Sequence, residues 1–420
     1  MRRSKSFLKT RREAPADEQA KNAQLLIRAG YVHKEMAGVY AYMPLGKMVI
    51  ENISNIIRQE MNAAGAEELQ MSVLQPKELW EKTNRWDDVV VDNWFKTKLK
   101  NGTELGVGLT HEEAVANSLK DYVSSYKDLP VYVYQIQNKY RNELRAKSGL
   151  MRGREFIMKD MYSFSRTQEE HEAFYEKMTA VYMKVYQRLG LGDITYPTYA
   201  SGGYFSEFSR EFQTLSQLGE DTIYLDQEKG FAINKEIYDF KNIEKLGVNK
   251  ETLKEVTAVE VGNIFPLGSK YSDPLGLYFI DEAGQRKSVI MGSYGIGISR
   301  LMGLIAEHFS DDKGLHWPLT IAPFKVYLIN IGPEPEVNQE AEALYRLLQE
   351  QGISVLYDDR LERPGEKFAD ADLMGIPYRL VVSAKTLAAG GYELKNRGAD
   401  TTTIVAKNSV IETLASGQKS

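Results

Sequence analysis

Residues 47–63 (KMVIENISNIIRQEMNA) place Val49, Ile50, Ile53, Ile56, Ile57 and Met61 at helical spacing, and Gly65 follows as a stop. The segment reads as an amphipathic helix packed by its apolar face. Residues 131–137 (VYVYQIQ) alternate β-formers and run into Lys139-Tyr-Arg141-Asn-Glu143, a strand carrying charge toward a site. A polar loop rich in Gly and Arg (Ser148 to Glu155) precedes Phe156 to Phe164, whose alternation predicts the returning antiparallel strand. Phe174, Met178, Val181, Val185 and Leu189 then mark a helix over 168–189 that covers a sheet. Residues 222–257 mix short apolar runs with Lys and Glu and read as a connecting segment or small subdomain. From Ser288 the order is apolar strand (SVIM), glycine turn (GSYGIG) and amphipathic helix (ISRLMGLIAEHF). The prolines of HWPLTIAPFK suggest a linker, and beyond Lys325 strands alternate with helices, as in a separate α/β domain.

The chain has 420 residues, 43% hydrophobic and 26% charged, long enough for two or three domains with cores of their own. With no cysteine, disulfides, thiolate zinc sites and a thiol nucleophile are all excluded. No two of the five histidines stand at i, i+4, so a protein zinc site is not expected. The basic start MRRSKSFLKTRRE lacks the apolar core of a secretory signal, and no stretch approaches the roughly 20 apolar residues of a membrane span. The expected location is cytoplasmic, with no membrane partner.

Net charge is only −5, so local charge carries more information. Lys139 to Arg166 holds eight Lys/Arg against Glu143, Glu155 and Asp160, a candidate phosphate site. A glycine-rich strand-to-helix turn serves dinucleotides, phosphates or simple close packing. Here Gly292-Ser-Tyr-Gly295-Ile-Gly297 is followed by Arg300, three residues on, positioned for a phosphate near the helix N-terminus. Tight helix-on-sheet packing with a surface Arg remains the alternative. Arg141 and Glu143, two apart, share a strand face that could hold a phosphate and a base amine together; a surface ion pair is the plainer reading.

Arg141-Asn-Glu143 with Gly153-Arg-Glu-Phe156, and Gly292-Ser-Tyr-Gly-Ile-Gly-Ile-Ser-Arg300, resemble motifs 2 and 3 of class II aminoacyl-tRNA synthetases. The finer resemblance is to the bacterial prolyl-tRNA synthetases. It extends through Gly38 to Gly46, Asn84-Arg85-Trp86, Leu109-Thr110-His-Glu112-Glu113, Arg152 to Phe164, Val259 to Phe265, Trp317-Pro and Ala322-Pro-Phe324. In the C-terminal part Asp358-Asp-Arg360, Pro364 to Phe368 and Asp372 to Pro377 are similar to that family's anticodon-binding domain.

The resemblance implies an α+β catalytic domain (antiparallel sheet flanked by helices) over 1–324, with 222–257 in place of an editing domain. An α/β anticodon-binding domain over 325–420 follows, and the family is usually dimeric through the 47–63 helix. It also implies a two-step reaction in which L-proline attacks the α-phosphate of ATP and tRNA(Pro) then takes the prolyl group. Carried over by position, Arg141 holds the α-phosphate and contacts proline, and Glu143 accepts from the adenine amine. Arg152 and Arg300 hold the γ-phosphate, Phe156 stacks on adenine, and Gly295 and Gly297 line the nucleotide. Thr110 and Glu112 hold the proline ammonium, because a secondary ammonium requires a carboxylate. Mg2+ would bridge phosphates through oxygens and water. Asp359, Arg360, Lys367 and Glu393 are the candidates for the anticodon face.

Three departures stand out. Ser72 occupies the place of the motif 1 proline, which bears on dimer geometry. The family's Gly-Gly-Ser-x-Ser-His-Glu-Phe stretch reads Gly202-Gly-Tyr-Phe-Ser-Glu-Phe-Ser-Arg210-Glu-Phe212 here, which sets Arg210 in the expected amino-acid pocket. Only 37 residues (222–258) separate Gly219-Glu-Asp221 from Val259, too few for an editing domain, so alanine mischarging and a trans-editing factor are expected. The alternatives are a paralogue that activates another small amino acid or uses a non-tRNA acceptor, and an inactive scaffold. The full phosphate set Arg141, Glu143, Arg152 and Arg300 argues against the last.

Overall fold

The structure is a computed structural model that describes residues 1–144, 146, 148–203, 207–217 and 219–416. It divides into two compact units: Met1–Ile53 with Lys147–Met151 and Met302–Ser420, and Ser54–Ala146 with Arg152–Leu301.

The second unit is built on a nine-stranded sheet. Its strands are β1 (Glu67–Glu68), β2 (Val131–Tyr140), β3 (Glu155–Ser165), β4 (Thr195–Ser201), β5 (Phe208–Leu215), β6 (Asp221–Asp226), β7 (Phe231–Asn234), β8 (Lys254–Gly268) and β9 (Ile290–Gly297). They lie in the order β5-β4-β7-β6-β8-β9-β3-β2-β1, and β5 also pairs with β8. Pairing is antiparallel except between β7 and β4 and between β1 and β2. The predicted helices form as α1 (Pro44–Ala63) and α3 (Gln168–Arg188), and the apolar stripe of α1 is buried throughout. Between them lies α2 (Glu112–Leu119), and α4 (Ile298–His308) follows β9 without a break.

Two readings change. The glycines of GSYGIG do not turn: β9 runs through them to Gly297. A Cβ at Gly295 would come within 2.4 Å of Met158 Cε and 2.9 Å of Asn263 Oδ1, so the glycine makes room for the ends of two side chains rather than for a bend. Residues 222–257 are not a mere connection, since they contribute most of β6, all of β7 and the start of β8 to the same sheet.

The first unit contains a five-stranded sheet of β10 (Val326–Ile331), β11 (Val355–Asp358), β12 (Tyr378–Ser383), β13 (Gly391–Asn396) and β14 (Thr403–Ala406), in the order β11-β10-β12-β13-β14. β10 pairs in parallel with β11 and β12, and the last two strands close antiparallel. Helices α5 (Pro335–Glu350) and α6 (Pro364–Met374) make the crossovers, and Val326, Leu328, Leu344, Leu348, Leu380 and Val382 lie in its core. This is the α/β pattern expected of strands alternating with helices. No helix among the described residues is long and apolar enough to cross a membrane.

Candidate active site

Register assigns every strand residue of the large sheet to a face. Arg210 lies opposite Ile264, Ile264 opposite Tyr294, and Tyr294 opposite Met161, so these share one face with Phe212 and Lys159. α3 covers it: Phe212 sits against the rings of Tyr182 and Tyr186, and Lys159 Nζ donates to Tyr182 Oη at 2.6 Å. Glu211, Asn263, Gly295 and Asp160 form the corresponding row on the other face, joined by Ser293, Met158, Phe156, Gln135 and Lys139.

On that second face Glu112, in the first turn of α2, is almost fully buried. Its carboxylate accepts from Thr110 Oγ1 at 2.6 Å and Ser293 Oγ at 3.1 Å, with Arg85 Nη1 at 3.6 Å. Glu113 beside it is fully buried and accepts from Arg85 Nη1 at 2.9 and 3.2 Å and from Thr83 Oγ1 at 2.8 Å. Burial pushes Glu113 above the ordinary glutamate value, and the Arg85 guanidinium opposes that rise. Arg85 is held against the rings of Trp80 and Tyr271, at 4.7 and 5.4 Å from their centroids.

Beneath Thr110 and Glu112 runs a second buried network. Asp160 pairs with Lys139 at 2.8 Å and accepts from Gln135 and Tyr162, while the Tyr162 hydroxyl accepts from the His111 amide. Lys139 Nζ lies 2.8 Å from His111 Nδ1, so Nδ1 accepts and Nε2–H donates to Ser72 O at 3.1 Å. Burial, reinforced by the Lys139 charge, lowers His111 to about 4 and keeps it neutral. Ser72, in the place of a motif 1 proline, thus serves through its carbonyl.

The cations behave differently. The Arg141 amide donates to Arg154 O at 2.8 Å, one step past the end of β2. Arg141 and Glu143 therefore stand just beyond the strand rather than on it. The Arg141 guanidinium lies 5.2 Å from the Phe156 ring centroid and has no ion pair to a described residue. Burial and the neighbouring Arg300 charge depress its proton affinity, with Glu260, Glu143 and Glu112 opposing. Arg300, in the first turn of α4, donates to the Glu260 carbonyl and lies 3.4 Å from its carboxylate. Arg152 holds Glu143 at 3.0 Å and Glu220 at 3.2 Å. Gly295 and Gly297 keep the floor of β9 bare on this face.

Sequence reasoning placed Thr110, Glu112, Arg141, Glu143, Arg152, Phe156, Gly295, Gly297 and Arg300, and all lie in the second unit. Arg210 does not join them. It lies on the α3 face, 2.8 Å from Glu176 and 2.6 Å from Thr179, because its neighbour Glu211 takes the opposite face. Tyr204, Phe205 and Ser206 of the same stretch lie outside the described residues. Missed by sequence reasoning were Arg85, Glu113, Ser293 and the pair Glu211 and Glu260. The available signal was Glu113 beside Glu112 at a helix start, since a buried carboxylate calls for a cation. Glu211 accepts from Gln213 at 2.8 Å and Asn234 at 3.0 Å, and burial together with Glu260 pushes it up to about 8.

In the first unit the proposed anticodon residues are mostly engaged. Lys367 is buried and donates to Asn330 O and Oδ1 and to Asp358 O, because the start of α6 closes over the end of β11. Arg360 is tied to Asp358 and Asp370 at 2.7 Å, and Asp359 accepts from Ser4 at 2.6 and 2.9 Å. Glu393 lies 3.8 Å from Arg379.

The sequence matches the family model of the tRNA synthetase class II core domain (G, H, P, S and T) over residues 95–309 and that of an anticodon binding domain over 325–416. It is 38% identical over 408 residues to the proline–tRNA ligase of Wolbachia sp. subsp. Drosophila simulans, covering 94% of this chain and 95% of the relative. With the proline–tRNA ligase of Exiguobacterium sibiricum identity is 34% over an alignment of 544 positions, longer than this chain, covering 94% of it and 96% of the relative. The fold is similar to that of Cryptosporidium parvum prolyl-tRNA synthetase, solved with L-proline and AMP, with a TM-score of 0.76, 16% identity, and coverage of 95% of this chain and 74% of that one. The chain belongs to the proline–tRNA ligase family of class II aminoacyl-tRNA synthetases.

Proposed function

We propose that this protein joins L-proline to tRNA(Pro) through a prolyl adenylate made from ATP. The observation that carries the reading is a pair of complementary charges in one unit, Glu112 on α2 and Arg141 just past the end of β2. Glu112 is a buried carboxylate met by two hydroxyl donors and only distantly by Arg85, and Arg141 is a cation with no ion pair among the described residues. One suits an ammonium and the other a carboxylate or phosphate, which together specify an amino acid meeting ATP.

In this mechanism Thr110 and Glu112 orient the proline nitrogen, which leaves the proline carboxylate toward Arg141. Arg141 and Arg300 stabilise the charge that develops as the carboxylate attacks the α-phosphate and pyrophosphate departs. Arg300 and Arg152 exchange their present acidic partners for phosphate oxygens. Glu143 accepts from the adenine amine, and Phe156 and the bare floor at Gly295 receive the ring. The first step needs no proton relay, because the attacking carboxylate is already ionised. In the second, a ribose hydroxyl of the tRNA attacks the prolyl carbonyl and gives up its proton, and AMP leaves.

Among the described residues no three His, Asp or Glu gather as a metal cluster. Glu211 and Glu260 nevertheless fit Mg2+, which takes one or two carboxylates plus phosphate oxygens; when bound it would offset phosphate charge. The short 222–258 stretch, folded into the sheet, supports an enzyme that lacks cis editing and depends on a separate factor to clear alanyl-tRNA. We place the catalytic domain at 1–324 and the anticodon-binding domain at 325–420, in a cytoplasmic homodimer. The anticodon face is assigned to Glu393 and Asp359, with Lys367 and Arg360 shaping it from within.

Amino-acid-dependent exchange of pyrophosphate into ATP tests the reading across all twenty amino acids. Exchange with proline, and weakly with alanine, is expected. Exchange with another amino acid alone, or none, overturns it. Accumulation of alanyl-tRNA by the purified protein tests the editing assignment, and its absence counts against that part.

A further inference from the structure

Around Glu112 the fixed charges can be counted. Lys139 and Asp160 cancel at 2.8 Å, and His111 is held neutral between Lys139 and Ser72 O. Glu112 and Glu113 supply two negative charges, and Arg85 supplies one positive charge within reach of both. Lys270, which feels the Arg85 charge, is exposed to solvent. Arg141 is a further cation in the field of Glu112 but makes no ion pair with it. Among the groups in contact the remainder is one negative charge, and geometry decides where it resides. Arg85 Nη1 contacts both oxygens of Glu113 at 2.9 and 3.2 Å but stays 3.6 Å from Glu112. Thr83 donates to Glu113 as well, while both donors to Glu112 are neutral hydroxyls.

We propose that Glu113 acts as a decoy for Arg85, so that the Glu112 carboxylate is left without a close cation and is kept for the substrate ammonium. Arg85 and Glu113 are then positioning residues for amino-acid binding. Neither touches the amino acid, and neither has a part in ATP binding. Without the Glu113 charge, the guanidinium closes on Glu112, the other carboxylate it already approaches, as an internal substitute for the ammonium. Little movement starts that competition, since Arg85 Nη1 already stands 3.6 Å from Glu112 against 2.9 Å from Glu113. The inference rests on the reading of Glu112 as the ammonium site.

The test is a KM series by pyrophosphate exchange. Glu113→Gln keeps shape and the Thr83 contact but removes the charge; it raises the proline KM on the order of tenfold while the ATP KM stays within twofold. Glu113→Asp keeps the charge and restores a proline KM near that of the parent. Arg85→Met in the Glu113→Gln background removes the competitor along with the decoy and brings the proline KM back toward the parent value. A packing role predicts the reverse: Asp as damaging as Gln, and the double variant worse than either single one. An unchanged proline KM in Glu113→Gln overturns the inference, as does a double variant that folds with the same melting temperature yet gains nothing. Glu112→Gln separates the two levels. A raised proline KM there with a normal Glu113→Gln sinks the decoy alone, and an unchanged one sinks the ammonium site beneath it.

Discussion

The two faces of the nine-stranded sheet are made from alternate residues of the same strands, yet they do opposite things. Toward α3 the sheet presents Phe212, Tyr294 and Met161 to Tyr182, Tyr186 and Phe174; its one buried lysine, Lys159, donates to a tyrosine hydroxyl and a carbonyl. Toward α2 it presents Lys139, Asp160, Glu211 and Ser293, where charges pair with one another and leave Glu112 and Arg141 for a ligand. Stability and chemistry are thus segregated by parity of residue number, and a shift of one position moves a side chain from one task to the other.

The sharpest way to break this contrast is Phe212→Ala, which empties a fully buried site between two tyrosines. It is expected to cost about 3–5 kcal/mol of stability in denaturant melts while leaving both substrate KM values near normal. The complementary change, Arg141→Ala, should lower pyrophosphate exchange by about 10²–10³-fold with an unchanged melting temperature. Near-normal exchange would remove Arg141 from the reaction.

Acid probes the ligand face through His111. Its folded value of about 4 lies below the ordinary 6.5, so the unfolded chain takes up the proton first. The stability it contributes is complete above pH 6.5 and is lost as pH falls toward 4, up to about 3 kcal/mol. His111→Gln should flatten that part of the stability profile relative to the parent; an equal slope in both proteins would place the acid sensitivity elsewhere. The smallest effect belongs to Arg210→Ala. On the α3 face it loses an ion pair with the exposed Glu176, worth below about 1 kcal/mol, and leaves the proline KM unchanged. A several-fold change in that KM would return Arg210 to the pocket.

Elements with strong periodicity were legible in the sequence: the stripes of α1 and α3, the β2–β3 hairpin and the alternation of the C-terminal unit. The candidate residues carried by contiguous motifs, Arg141, Glu143 and Arg300 among them, could be named from the sequence, and the structure places them in one unit. Parity was not. Arg210 and Glu211 are adjacent letters, and only the pairing of β5 with β8 tells which one faces α2. Long-range partners were hidden for a related reason, since Arg85 and Glu113 meet across 28 positions of chain. Lys367 read as a surface cation because nothing local announces that its ammonium will satisfy two carbonyls.

The bare stretch of β9 bears on how this enzyme could escape a drug. Resistance commonly arises when a pocket wall grows a side chain that obstructs the inhibitor. At Gly295 that route needs a rearrangement first, because the first carbon added would meet the ends of the Met158 and Asn263 side chains, which would have to swing aside. A flat compound lying over Gly295 would meet a wall that a substitution can raise only together with its two neighbours, Met158 and Asn263.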